Sequence, residues 1–478
     1  MYHIIRNLFP YHRRKNTASS PKKRWLFMYR KFVLAAVGAL CLLCAGGAPA
    51  AKYKDVMFLD SVRNGLCAWF EGKNDDARAL FTRLVKDNAK NPVPYHALAI
   101  LLMDTEKNYS DAARLRGIHQ TLAAEGRQAY RDVIPTLKKY AESGCVQAQY
   151  MWGTALLWGL GGQFDPVGAL LQLRRASDGG YPPAQRELGV MHELGRGVQK
   201  QPSEAARLYR LASDSGDALA RKSLGTLLLF GKGVPKDIPQ AVALFESSAA
   251  EGYPDAMMTL AELYREGTGV EKDTDKALAW YVKAFNAGSS EAATNLAWLY
   301  ETGTDLPKDM KKAVSWYKKA AEQGNHAAQL RLGAFYYEGH HVKKDPAEAF
   351  RLFSLSAKQG NINAWYNLGW LYKTGNGVKK DLKKSKDWFE RAAMAGSDRG
   401  YFALGVAYVN GEGTDVDLEE AYYWFMLAKL TGNPDAQRGL DFIDKKMKDD
   451  AKARAAKRAQ EKFDRELKHQ NDEERENQ

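Results

Sequence analysis

Cysteine is scarce in this chain, with four in 478 residues. Cys41 and Cys44 lie in an N-terminal apolar run, which leaves Cys67 and Cys145, too few and too far apart for a disulfide framework. Whether these two pair or sit as small apolar residues stays open. Acidic residues are missing altogether from residues 1–50, which hold nine Lys/Arg, so the formal net charge of +13 falls to +4 for the remainder. A mild, dispersed excess excludes the clustered basic face that nucleic-acid binding requires. A solidly apolar run of about 20 residues, the length of a membrane span, is also lacking. Residues 32–51 are uncharged but end in Gly, Pro and Ala.

That N-terminal stretch reads as a signal peptide over residues 1–50. Arg30 and Lys31 precede the apolar run Phe32 to Cys44, and Ala48-Pro49-Ala50 is a small-x-small cleavage pattern before Ala51. A start at Met28 would make it compact. Leu40 and Leu43 precede the leader cysteines, where a lipoprotein signal needs a small residue. Export to the periplasm or outside is expected, and membrane contact only if the leader stays uncleaved.

What the chain has in abundance is glycine in register. Gly153, Gly189, Gly225, Ala261, Ala297, Gly333, Gly369 and Gly405 lie 36 residues apart without insertion. Six residues on, Gly159 begins a line that runs unbroken to Gly411, and Gly180 begins a third that ends at Gly432. A fixed period of this length marks a solenoid, a quasi-linear stack of helix pairs. Residues 256–291 show the logic of one unit. Ala256, Leu260, Leu263 and Tyr264 form the apolar stripe of a first helix. Gly267-Thr-Gly269-Val270 ends it, because glycine takes the left-handed conformation of a helix C-cap. Asp273 caps a second helix with Ala277, Trp280, Tyr281 and Ala284 inward, and Gly288 closes the unit.

The repeated pattern Ala-x3-Leu-Gly-x2-Tyr-x2-Gly-x-Gly-Val-x2-Asp-x3-Ala-x2-Trp-Tyr-x2-Ala-x3-Gly resembles the Sel-one-like repeat family, relatives of tetratricopeptide repeats. It covers residues 148–435. Departures fall at Asp305 and His341 (second turn glycine), Gln201 (capping aspartate), Ser385 (buried alanine) and Gln172, and they predict local softening only. The resemblance implies an all-α superhelical solenoid and binding roles such as envelope-complex assembly, signalling control or host contact. Residues 51–147 read as a helical N-terminal region with a degenerate tetratricopeptide-like unit and a partial repeat from Tyr130. Residues 436–447 read as a capping helix with Leu440, Phe442 and Ile443 inward, and 448–478 as a charged helical or disordered tail.

Chemistry-bearing motifs are few. Ser315-Trp-Tyr-Lys318 and Lys373-Thr-Gly375 match two motifs of penicillin-recognising enzymes, and some cysteine-rich members of the resembled family are linked to β-lactams. The serine and lysines here are in repeat register, and the cysteine pairs of those relatives are absent. Glu338 with His340 and His341 sits in a turn, without the i,i+4 spacing that aims two imidazoles at one ion. Lys236, Lys272, Lys308, Lys344 and Lys380 recur before the cap as a solvated turn feature. No catalytic residue, cofactor or metal is expected.

Binding is expected on the first helices, which line the concave side of such solenoids. If unit positions 1, 5, 8 and 9 are core, positions 3, 7 and 10 face the groove. They turn aromatic in the later units, at Trp298, Leu330, Tyr337, Tyr366, Trp370 and Phe402. An exposed row of this kind marks a protein- or peptide-binding site; the competing reading is that it wedges neighbouring units together. The chain is read as a non-enzymatic exported scaffold, with a β-lactam or cell-wall hydrolase and a membrane-anchored adaptor as alternatives.

Overall fold

A computed structural model describes residues 50–87, 91–106, 127–162 and 164–477. The leader, with its start and cleavage sites, otherwise lies outside them. Every element among the described residues is a helix. Four precede the repeats: α1 (Ala50–Phe70), α2 (Asn74–Asp87), α3 (Pro92–Glu106) and α4 (Arg127–Glu142). Eight pairs follow, each a first helix and its second: α5 (Val146–Leu157) with α6 (Pro166–Asp178), α7 (Pro182–Leu194) with α8 (Pro202–Asp214), α9 (Ala218–Phe230) with α10 (Ile238–Ala250), α11 (Pro254–Glu266) with α12 (Thr274–Asn286). They continue as α13 (Ser290–Thr302) with α14 (Met310–Glu322), α15 (His326–Glu338) with α16 (Pro346–Lys358), α17 (Ile362–Thr374) with α18 (Leu382–Met394), α19 (Asp398–Asn410) with α20 (Leu418–Leu430). The chain ends with α21 (Ala436–Asp444) and α22 (Asp449–Asn477). Each repeat helix packs on the one before and the one after, so the architecture is an α/α solenoid.

The three glycine lines serve different ends. A Cβ on Gly225 would stand 2.8 Å from the Phe245 ring, and Gly189, Gly333, Gly369 and Gly405 face Tyr209, Phe353, Phe389 and Phe425 in the same way. This line is a closest-approach line, where the missing methyl admits a buried aromatic. The turn line is conformational: Gly267, for example, is a left-handed cap with φ 75° whose N–H bonds back to Leu263. Asp305 and His341 take up the same left-handed region at φ 64° and 63°.

The second-helix caps are as the sequence predicts. Asp273 accepts from the Lys276 N–H at 2.9 Å, and Asp237, Asp309, Asp345, Asp381 and Asp417 do likewise. Gln201 makes no side-chain cap bond, and Pro202 starts that helix instead. Ser385, at the buried alanine position, donates its hydroxyl to the Gly369 carbonyl at 2.8 Å. Gln172 is buried with Oε1 unpartnered among the described residues. Cys67 and Cys145 are both free thiols; Cys145 donates to Gln147 Oε1 at 3.3 Å, and burial pushes its pKa up.

One inward assignment is corrected. Leu440 and Ile443 of α21 are buried, but Phe442 is 59% exposed. At 3.6 residues per turn, positions 440 and 443 share a face and 442 cannot join them. The charged tail is a single helix, α22, with Ala455 and Ala459 buried and its docked part lying along α20.

Candidate functional site

First helices of successive units lie side by side, and their facing side chains meet. Trp370 Nε1 on α17 donates to the Tyr337 hydroxyl on α15 at 3.2 Å. Arg331 on α15 donates Nε to Glu301 of α13 at 3.2 Å and also donates from Nη2, and the Tyr317 hydroxyl donates to the same carboxylate at 2.7 Å. Burial works to raise the Glu301 carboxyl, but the donors Arg331 and Tyr317 win and hold it below its ordinary value. Lys373 pairs with Glu412 at 2.7 Å. These bonds tie one unit to the next along the first-helix face.

The expected row of six divides. Trp298 and Trp370, at position 7, are 47% and 41% exposed. The position 3 side chains turn inward: Tyr366 packs on Phe389 with ring centroids 5.6 Å apart, Phe402 on Phe425 at 5.3 Å, and Leu330 joins the core of its unit. Burial raises the Tyr366 phenol pKa. Tyr337 is half-buried and fixes the Trp370 indole. Beyond Phe402 the face continues into a cavity of about 460 Å³ lined by Val406, Val409, Phe425, Arg438 and Phe442. Arg438 and Asp435 pair at its rim, 3.1 Å apart. Its apolar floor suits an apolar side chain.

A second exposed apolar set stands outside that row. Trp158, Leu194 and Phe230 are 36 residues apart, at position 11 of units one to three, and are 55%, 44% and 62% exposed. Their shared register was the signal available in the sequence.

The catalytic motifs are not assembled. Ser315 and Lys318 lie exposed on α14, where Lys318 sits over the Tyr336 ring at 6.0 Å. Lys373 is on α17 in its ion pair with Glu412. His340 Nδ1 lies 3.0 Å from Glu338, while His341 packs edge-on against Phe335. Among the described residues no cluster of three metal-ligating side chains forms. Of the turn lysines, Lys272 pairs with Asp305 at 2.6 Å. No helix among them is long and apolar enough to cross a membrane.

Comparison with known proteins agrees with this arrangement. A protective antigen of uropathogenic Escherichia coli with an SLR fold is 26% identical, with a TM-score of 0.51 over 87% of this chain and 94% of its own. A Sel1 repeat protein from Oxalobacter formigenes is 31% identical over 53% of this chain and 99% of its own, with a TM-score of 0.44. Curated proteins give no match. The Sel1 repeat is matched in eight stretches, at 146–181, 182–217, 218–253, 254–289, 290–325, 326–361, 363–397 and 399–429. With more than half its length in these consecutive units, the chain belongs to the Sel1 repeat family.

Proposed function

We propose that this solenoid is an exported, non-enzymatic scaffold that holds a protein or peptide partner on the first-helix face of units five to eight. The observation that carries it is the pair Trp298 and Trp370, left in solvent while Tyr366 and Phe402, at position 3 of units seven and eight, pack against buried rings. Keeping two indoles exposed is unfavourable in water, and burying them against a partner recovers that energy. Trp370 is also held by Tyr337, so little side-chain freedom is lost on binding. Export rests on the leader pattern, and likeness to a protective antigen supports a setting in contact with a host.

The test is capture of partners from a cell-envelope fraction by the purified chain. The triple variant Trp298→Ala, Tyr337→Ala, Trp370→Ala should lose capture with its melting temperature nearly unchanged. A large drop in melting temperature for each single variant would assign the row to structure. N-terminal sequencing of the mature protein should read from Ala51.

A further inference from the structure

The second helices also have an outward face, and it differs between units. The positions two and six residues after the second-helix cap are exposed in units one to seven. From unit two to unit seven they are small or polar, as in Lys311 with Ser315 or Lys383 with Asp387. Units one and eight depart. Unit eight has Glu419 and Tyr423, which are half-buried because α22 lies over them. Arg454 forks onto Glu419 at 3.1 and 2.7 Å, and Arg458 reaches Glu420 at 2.7 Å and stacks on Tyr423 at 4.5 Å. Unit one has Val167 and Leu171, 71% and 51% exposed, with no helix over them among the described residues. Arg174 and Arg175 follow one turn on, both exposed and without an ion-paired carboxylate among the described residues.

We propose that the outer face of unit one is a docking seat for a second helix, whose apolar stripe is flanked by carboxylates. Val167, Leu171 and Arg175 stand at i, i+4 and i+8 on one face of α6, the spacing that receives an amphipathic helix. The chain itself shows such a seat in use, at the equivalent positions of unit eight. There the face offers carboxylates and takes an arginine-bearing helix; unit one offers guanidiniums, so its occupant has the opposite charge. Docking of α22 from a second copy in that same register would set Arg454 and Arg458 over Val167 and Gly168, which replace the carboxylates Glu419 and Glu420 that receive them in unit eight, and the loss of both ion pairs disfavours it. The seat lies on second helices and does not depend on the tryptophan face.

The probe is a synthetic peptide of about 20 residues, long enough to be helical, with a leucine stripe flanked by glutamates. Its twin has lysine for glutamate. In fluorescence anisotropy with the full chain, the glutamate peptide should bind at least about tenfold tighter than its twin. Leu171→Asp, and separately Arg174→Glu with Arg175→Glu, should each weaken it about tenfold, with thermal unfolding unchanged. Trp370→Ala should leave it unchanged. Equal binding of the twins, no binding at all, or insensitivity to Leu171→Asp would overturn the proposal. So would a dimer in sedimentation that Leu171→Asp abolishes, which would assign the face to a second copy.

Discussion

Single residues here do work that their neighbours in register reveal. Gly225 and Gly252 are both glycines of the repeat, yet for different reasons. Gly225→Ala would drive a methyl into the Phe245 ring, at 2.8 Å, and should cost about 1–3 kcal/mol. Gly252→Ala meets nothing within 4 Å but must hold φ at +90°, so it should cost about 1–2 kcal/mol. Pairing each with Phe245→Leu in urea unfolding separates them, since only the first should be relieved. Arg186 and Asp217 form a buried ion pair that joins α7 to the start of α9, where Asp217 also caps the helix through the Ala220 N–H at 2.8 Å. Burial opposes the Arg186 charge, and Asp217 more than restores it. Arg186→Ala leaves the buried Asp217 carboxylate without its cation and should cost about 3–5 kcal/mol, read by the same unfolding experiment. The second-helix caps make a pH prediction. Backbone N–H bonds hold the Asp273 and Asp381 carboxyls below their ordinary value. Folding therefore favours their charged form, and this part of the stability is present above the unfolded pKa, about 3.9. It is lost as pH falls through the lower folded value. Melting temperature should drop below about pH 4, and less so in the Asp273→Asn variant.

At the scale of the helix, α22 shows what register alone misses. Its buried Ala455 and Ala459 lie in a run that composition presents as charged and solvated. Ala459→Asp should release it, because a carboxylate at that fully buried position has no partner. Hydrogen exchange should then speed up in α22 and α20 and stay unchanged in α7 to α14, since a solenoid unit senses only its neighbours. The repeat helices themselves were legible: the glycine lines, Asp273 and its equivalents, and the inward Tyr281 all stand where spacing places them. What spacing could not show was the sideways neighbour. Its own helix leaves Tyr366 outside the core stripe, facing the groove. The Phe389 ring on the following second helix draws it in. The ties Arg331 to Glu301 and Lys373 to Glu412 join residues 30 and 39 apart, a separation set by packing between units. For Phe442 the error was one of rotation on a single helix.

Across the whole molecule, the constant period makes length adjustable. Deleting residues 254–289 removes one matched unit and joins two equivalent positions, so the shortened chain should fold with proportionately less helix by circular dichroism. Its urea m-value should fall with the surface it no longer exposes. Deleting about 30 residues across the same junction would leave the next first helix rotated out of its seat, with a much lower melting temperature.

Trp298 and Trp370 sit 72 residues apart, in units five and seven, with Ala334 at the equivalent place between them. They are therefore two teeth separated by a blank, like the bitting of a key. Under the proposed function, a partner would present two apolar notches at that pitch. Shuffling the order of copies would recut the key while leaving the blade unchanged.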